Sequence, residues 1–356
     1  MDQPWQVRQG EELPGEQLFE YLTSHLPDLT GPLIIEQFPA GFSNLTYLLR
    51  FGDRELVLRR PPIGAKIRTA HDMSREYRIL SHLYPVYKKV PRPLLFCDDE
   101  AILGAPFYVM ERVRGVILRP QPPRGIELSA DLMRSLSETF VDNLAEIHEV
   151  DYEAAGLRDL GAPQGYVRRQ VVGWTGRYHR ARSDDVPAID RLADWLQQNL
   201  PADSPRSALI HNDYKYDNLV LAPEDLKRVI AVLDWEMATI GDPLMDLGTT
   251  LGYWVEKTDP EEWQRYGFGL TSLAGSFTRT ELVDHYSKRT GRRVDDPVFY
   301  FVYGLLKIAV IVQQIYFRYQ RGLTRDPRFA QLGELVKACG MMAQRATERK
   351  RIDRLG

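Results

Sequence analysis

The stretch His211-Asn212-Asp213-Tyr214-Lys215-Tyr216-Asp217-Asn218 reads as H-x-D-x-x-x-x-N, and the apolar run 229–233 after it ends in Asp234-Trp235-Glu236. Phosphoryl transfer needs a carboxylate near the acceptor hydroxyl and hard oxygen ligands for magnesium, and this window holds both. Asp213 is the candidate base, a carboxylate that accepts the hydroxyl proton's hydrogen bond and aims the oxygen at a γ-phosphoryl group. Asn218 offers a neutral amide oxygen to magnesium and Asp234 a charged one. The run 229–233 reads as the strand that delivers Asp234, with Lys227-Arg228 closing the turn before it. Lys215 is a cation placed to offset charge on the transferring group. The competing interpretation makes His211, Asp213 and Asn218 loop polars engaged in turn and capping bonds. The asparagine spacing, the strand and Asp234 together favour the catalytic one.

Around this window lies a chain of 356 residues, enough for two lobes or domains. A hydrophobic content of 44% and a charged content of 27% are those of ordinary soluble globular proteins. The formal net charge of −3 argues against a broad nucleic-acid footprint and leaves room only for a local basic patch. Cys97 and Cys339 stand too far apart in sequence for a disulfide framework or a zinc site. They fit a reducing cytoplasm. Met1-Asp2-Gln3-Pro4-Trp5 lacks the basic region and apolar run of a secretory signal, so a cytoplasmic protein is expected. The long apolar stretch Phe299 to Phe317 contains Lys307, Gln313 and Gln314, which predicts a buried helix and no membrane partner.

Along the chain, Leu18, Leu22 and Leu26 predict a helix from Pro14-Gly15 to Leu26. Strands are predicted at Leu33 to Phe38, Thr46 to Phe51, Glu55 to Arg59, Leu94 to Cys97 and Phe107 to Arg112, with a tight turn at Gly52-Asp53. A helix is predicted from Ser74 to Leu83. After Gly115 the character changes: Pro120, Pro122 and Pro123 stiffen the chain, and helical periodicity dominates from Ser129 onward. Strands first and helices afterwards indicate an α+β chain. The expected division is a nucleotide-binding lobe over 1–113 and a catalytic, acceptor-binding lobe over 114–356.

The segment His211 to Gly248, with Gly241-Asp242-Pro243 and Asp246-Leu247 following Asp234, resembles the aminoglycoside phosphotransferase family and is similar to choline kinases. The resemblance implies a protein-kinase-like bilobal fold with a small antiparallel-sheet N-lobe and a larger, mostly helical C-lobe. It also implies ATP and Mg2+ as cofactors. Asp246 would be an internal anchor for the catalytic-loop backbone, or an ordinary carboxylate at a helix N-terminus. Trp235-Glu236 replaces the Phe-Gly of protein kinases, which makes large rotations of this segment harder. Glu236 is expected to be a solvated or structural carboxylate, with contact to a second metal as the alternative.

Laid on the same template, Ala40-Gly41-Phe42-Ser43-Asn44 occupies the place of a phosphate-covering loop without its full glycine pattern, and Ser43 is the candidate phosphate contact. Leu56-Val57-Leu58-Arg59 takes the place of V-A-I-K. Val57 and Arg59 share a strand face, so Val57 would cover adenine while Arg59 reaches phosphate. Arginine here is a departure from lysine, yet it stays charged and binds phosphate in a bidentate manner. Glu76 is the natural ion-pair partner of Arg59. Met110, Glu111 and Val113 fall at the hinge, where backbone groups recognise adenine and Met110 sits behind the base.

The acceptor belongs to the helical lobe, where Trp174, Tyr178, Trp254, Tyr303, Lys307, Gln314 and Tyr316 are candidates, each with core packing as its alternative. No dense acidic run follows Asp246, which weakens a polycationic acceptor. The runs Leu56-Val57-Leu58-Arg59-Arg60-Pro61-Pro62 and Leu233 to Ile240 resemble the kinase-like domains associated with acyl-CoA dehydrogenases. This resemblance implies a small-molecule hydroxyl acceptor of the hydroxyacyl-CoA kind and a functional link to an acyl-CoA dehydrogenase. The alternative function is a nucleotide-binding module without catalysis, motivated by Arg59 and the sparse glycine loop.

Overall fold

The computed structural model describes residues 4–39, 44–62, 72–123, 125–184, 186–324 and 326–356. The chain divides into two compact units. The first comprises Met1–Ile117, Ala155–Leu157 and Leu219–Met237; the second comprises Leu118–Ala154, Arg158–Asn218 and Ala238–Gly356. Residues 219–237, placed in the second domain by the sequence reading, therefore group with the first unit.

In the first unit α1 (Gly15–His25) precedes three consecutive antiparallel strands, β1 (Leu33–Gln37), β2 (Leu45–Phe51) and β3 (Arg54–Arg60). Then come α2 (Met73–Leu83), β4 (Pro93–Cys97), the short α3 (Glu100–Leu103) and β5 (Phe107–Glu111). The sheet order is β1-β2-β3-β5-β4. Alternation sends Tyr47, Leu49 and Phe51 of β2 and Leu56 and Leu58 of β3 into one core beneath Leu18 and Leu22 of α1. The opposite phase of β3 carries Val57 and Arg59, which pair with Met110 and Tyr108 of β5. Asp72 caps α2 by accepting from the Arg75 amide.

A second hairpin completes this unit. The strands β7 (Leu219–Ala222) and β8 (Asp225–Val232) pair antiparallel, and Val232 donates its amide to the Lys89 carbonyl at 2.8 Å. Lys227 and Arg228 lie within β8 and not in a turn; the turn falls between Ala222 and Asp225. The sequence reading missed β7 because Leu219-Val220-Leu221 runs directly on from the polar loop, with no breaker to announce a strand.

The second unit is helical, with one short ladder. Its helices are α4 (Ala130–Glu149), α5 (Tyr166–Ala181), α6 (Pro187–Gln198), α7 (Pro243–Tyr253), the short α8 (Glu261–Gln264), α9 (Arg279–Thr290), α10 (Pro297–Gln320) and α11 (Leu332–Arg349). The strands β6 (Ala208–Ile210) and β9 (Thr239–Gly241) pair antiparallel. The helix α10 is long and apolar enough to cross a membrane, yet most of it is buried within this unit. It crosses α7 where Gly248 meets Gly304. A Cβ on Gly304 would stand 2.1 Å from the Gly248 carbonyl oxygen, and one on Gly248 2.3 Å from the Tyr300 carbonyl oxygen. Cys97 and Cys339 are free and buried.

Candidate active site

The window 211–218 lies in the second unit, directly after β6. His211 is fully buried, and Asn212 follows in the left-handed region at φ 67°. Asparagine tolerates this conformation better than most residues, though it still requires the surroundings to hold it. Asp246, in the first turn of α7, does so. Its Oδ2 accepts the His211 amide and its Oδ1 the Asn212 amide, both at 2.7 Å. His148, at the end of α4, approaches the same carboxylate at 3.1 Å through Nε2, while Tyr286 sits 2.7 Å from Nδ1. Of the two readings of Asp246, the internal anchor is therefore the one present, and the carboxylate also sits in the first turn of a helix. Burial pushes the Asp246 carboxyl up, but His148, His211 and the amide bond outweigh it and hold it below the ordinary carboxylate range.

Beyond this anchor the loop presents Asp213. Lys215 Nζ donates to both carboxylate oxygens, at 2.9 and 2.7 Å. Asn218, closing a 3-10 turn over Tyr216–Asn218, donates Nδ2 to Asp213 Oδ2 at 3.0 Å and to the Asp213 carbonyl at 2.8 Å. Both bonds are made by the Asn218 NH2 group, so the amide oxygen takes no part in them. Burial raises the Asp213 carboxyl, but Lys215, backed by His211 and Lys307, more than reverses this and keeps it ionised. The Tyr253 ring lies 4.8 Å from Lys215 Nζ, and burial together with Asp213 pushes its phenol well up.

The first unit holds the other candidates. Arg59 is buried on β3 and donates Nη1 to Glu76 Oε1 at 2.5 Å. The ion pair expected between these residues is thus present. The same guanidinium reaches Asp234 Oδ1 at 3.2 Å and stands 3.8 Å from Glu236 Oε2. Burial pushes the Arg59 pKa down; Glu76, Tyr108, Asp234 and Glu236 together push it higher still, so Arg59 is permanently charged. Asp234 sits in the left-handed region at φ 65°. Arg59 engages one of its oxygens, Oδ1. Trp235 is fully buried, donating its amide to Glu76 at 3.2 Å and its indole N–H to the Val232 carbonyl at 2.9 Å. Glu236 accepts from Asn44 Nδ2 at 2.7 Å, and its carbonyl accepts from Arg75 at 2.9 Å. That makes it a structural carboxylate within this unit. Val57 and Met110 lie opposite each other across β3 and β5, and the ladder ends at Glu111, leaving Val113 beyond it. Ser43 lies outside the described residues.

The acceptor candidates divide sharply. Trp174, Tyr178, Trp254, Tyr303 and Lys307 are buried, whereas Gln314 is exposed and Tyr316 half-buried. The sequence reading missed His148 and Tyr253. No local pattern marks them, because their roles come from pairing across long sequence separations. Among the described residues, no group of three or more His, Cys, Asp or Glu could hold a metal ion on its own. A magnesium held by few side chains, completed by phosphates and water, does not require such a group.

These features define a small-molecule kinase scaffold, and comparison with known proteins agrees. The chain belongs to the phosphotransferase enzyme family, whose model matches residues 34–281. It is 37% identical over 309 residues to acyl-CoA dehydrogenase family member 11 of Rattus norvegicus, covering 85% of this chain and 39% of the rat protein. To member 10 of Mus musculus it is 35% identical over 340 residues, covering 95% of this chain and 31% of that protein. The chain thus spans well under half the length of these relatives. A proposed aminoglycoside phosphotransferase from Ralstonia eutropha JMP134 superimposes with a TM-score of 0.78 at 31% identity, covering 95% of this chain and 99% of that one. The GDP complex of aminoglycoside 2'-phosphotransferase-IIIa shares the fold at a TM-score of 0.59 and 14% identity, covering 92% of this chain and 98% of that one.

Proposed function

We propose that the protein is an ATP- and magnesium-dependent phosphotransferase acting on a small-molecule hydroxyl, with a hydroxyacyl-CoA thioester as the acceptor class. The observation that carries this reading is the Asp213 carboxylate, held ionised by Lys215 and hydrogen-bonded by Asn218, on a loop whose backbone Asp246 fixes. Asp213 takes the hydrogen bond of the acceptor hydroxyl and orients its oxygen for attack. Asn218 and Asp234 are the side chains that would supply oxygen ligands to magnesium. With nucleotide bound, Arg59 and Lys215 would offset phosphate charge, and Val57, Met110, Glu111 and Val113 would contact the adenine. Bound ATP with magnesium would supply the phosphoryl group and neutralise its developing charge. The likeness to acyl-CoA dehydrogenase family members supports the thioester class and a functional link to such a dehydrogenase.

One feature favours a second reading, a nucleotide-binding module without catalysis: Arg59 already engages Asp234, a proposed metal ligand. The two readings separate in a γ-labelled ATP transfer assay against hydroxyacyl-CoA thioesters, choline-like amino alcohols and aminoglycosides. Label in a hydroxyacyl-CoA product supports the proposal. Label only in another class removes the thioester assignment. ATP binding with no product from any class supports the second reading.

A further inference from the structure

Lys307 projects from α10 into the interior of the second unit with 1% of its surface exposed. Its Nζ donates to the Asn212 main-chain carbonyl at 2.5 Å and to Asn212 Oδ1 at 3.2 Å, and Thr249 Oγ1 stands at 3.5 Å. The Trp174 ring closes the other side, 5.8 Å away. Among the described residues, none of its hydrogen bonds goes to a carboxylate. Burying an ammonium without direct pairing is costly, and an apolar side chain would fill this place on an apolar helix more cheaply. Packing therefore does not account for a lysine here.

What the lysine holds does account for it. Asn212 joins His211 to Asp213 and sits at φ 67°. Asp246 takes the two amides on its N-terminal side, and Lys307 takes the carbonyl on the Asp213 side. The cation thus holds the peptide unit that leads directly into Asp213, and the anion holds the two peptide units before it. We propose that Lys307 is a positioning residue for phosphoryl transfer, fixing the Asn212 carbonyl and through it the direction in which Asp213 presents its carboxylate. This rests on Asp213 being the base.

The groups that face Lys307 make its grip sensitive to pH. Burial pushes its pKa down, Asp246 from α7 and Asp213 from the loop pull it up, and Lys215 and Arg177 of α5 push it down, leaving it at about 8. The phenols of Tyr166 on α5 and Tyr303 on α10 are pushed up by burial and stay neutral. Because the folded pKa lies below the ordinary 10.5, the unfolded chain binds the extra proton between these values, so stability from this group rises with pH there. Turnover should move the opposite way, falling as the ammonium loses its charge above about pH 8.

The test uses the full chain and three readouts: steady-state kinetics, backbone amide exchange over residues 211–218, and thermal melting. Lys307→Met should lower kcat about 10- to 100-fold, the scale of a hydrogen bond to a charged group, with KM for ATP changed less than about threefold. Exchange at 212–214 should quicken, and the fall in kcat above pH 8 expected of the parent should vanish. Lys307→Gln, which keeps a donor without the charge, should recover part of the amide protection. Unchanged kcat and exchange in Lys307→Met would overturn the proposal. So would failure of both variants to fold, since a contact confined to the loop leaves the rest of the unit intact. If the parent protein transfers no phosphate at all, the functional reading fails, while amide exchange still reports whether Lys307 orders the loop.

Discussion

Asp246→Asn is the sharpest structural perturbation of the candidate site. Two buried amides, those of His211 and Asn212, converge on one carboxylate at 2.7 Å each. An asparagine side chain offers a single acceptor oxygen, so one amide keeps a neutral partner and the other meets an NH2 group. A buried donor left without a partner costs about 1–3 kcal/mol, and losing the charge from the remaining bond adds about 1 kcal/mol. The expected loss is therefore about 2–4 kcal/mol, within the roughly 5–15 kcal/mol of a typical domain, so the variant folds. Urea unfolding at pH 7 measures the loss, and amide exchange localises it to His211 and Asn212. The sign of the pH dependence follows from the depressed carboxyl. Its stabilisation is fully present above the unfolded value of 3.8 and is lost as pH falls through the lower folded value. The gap between parent and variant should therefore persist at pH 5 and close only in stronger acid. A variant within about 0.5 kcal/mol of the parent at pH 7, with unchanged exchange at these two amides, would refute the anchoring argument.

Further outcomes follow from other contacts. Arg59→Ala leaves Glu76 buried without its cation and should cost about 3–5 kcal/mol, measured by urea unfolding, together with weaker ATP binding. Arg59→Lys keeps the charge but not the fork that spans Glu76 and Asp234, so calorimetry should show ATP binding intermediate between parent and Arg59→Ala. Gly304→Ala places a Cβ 2.1 Å from the α7 backbone and should destabilise by about 1–3 kcal/mol in denaturant titration, despite alanine's better helix propensity.

Much of this architecture is legible in the amino-acid order, because its signals are local. Alternation along Leu45–Phe51 and Arg54–Arg60 sets the central strands and places Val57 and Arg59 on one face. The spacing from His211 to Asn218 brings together Asp213, Lys215 and Asn218, since one tight loop and a 3-10 turn suffice. What the order conceals is tertiary. His148 and Lys307 read as an ordinary helix end and a polar interruption of an apolar run. His148 meets the loop's anchor Asp246 across 98 residues, and Lys307 meets Asn212 of the loop across 95. The hairpin of β7 and β8 is obscured for a different reason: charged Lys227 and Arg228 look like a turn, whereas they ride the exposed part of a strand. The long apolar α10 could be told from a membrane span only by its internal Lys307, Gln313 and Gln314, and Lys307 and Gln313 are buried with partners.

The central claim is that Asp213 orients the acceptor for transfer and is not needed to hold nucleotide. Asp213→Asn tests it most directly, with ATP binding and γ-phosphoryl transfer to a hydroxyacyl-CoA measured on the same preparation in magnesium. Transfer should fall by about 10²- to 10⁴-fold, the usual share of general-base catalysis, while ATP affinity stays within about threefold. Transfer at the parental rate in that variant would contradict the account.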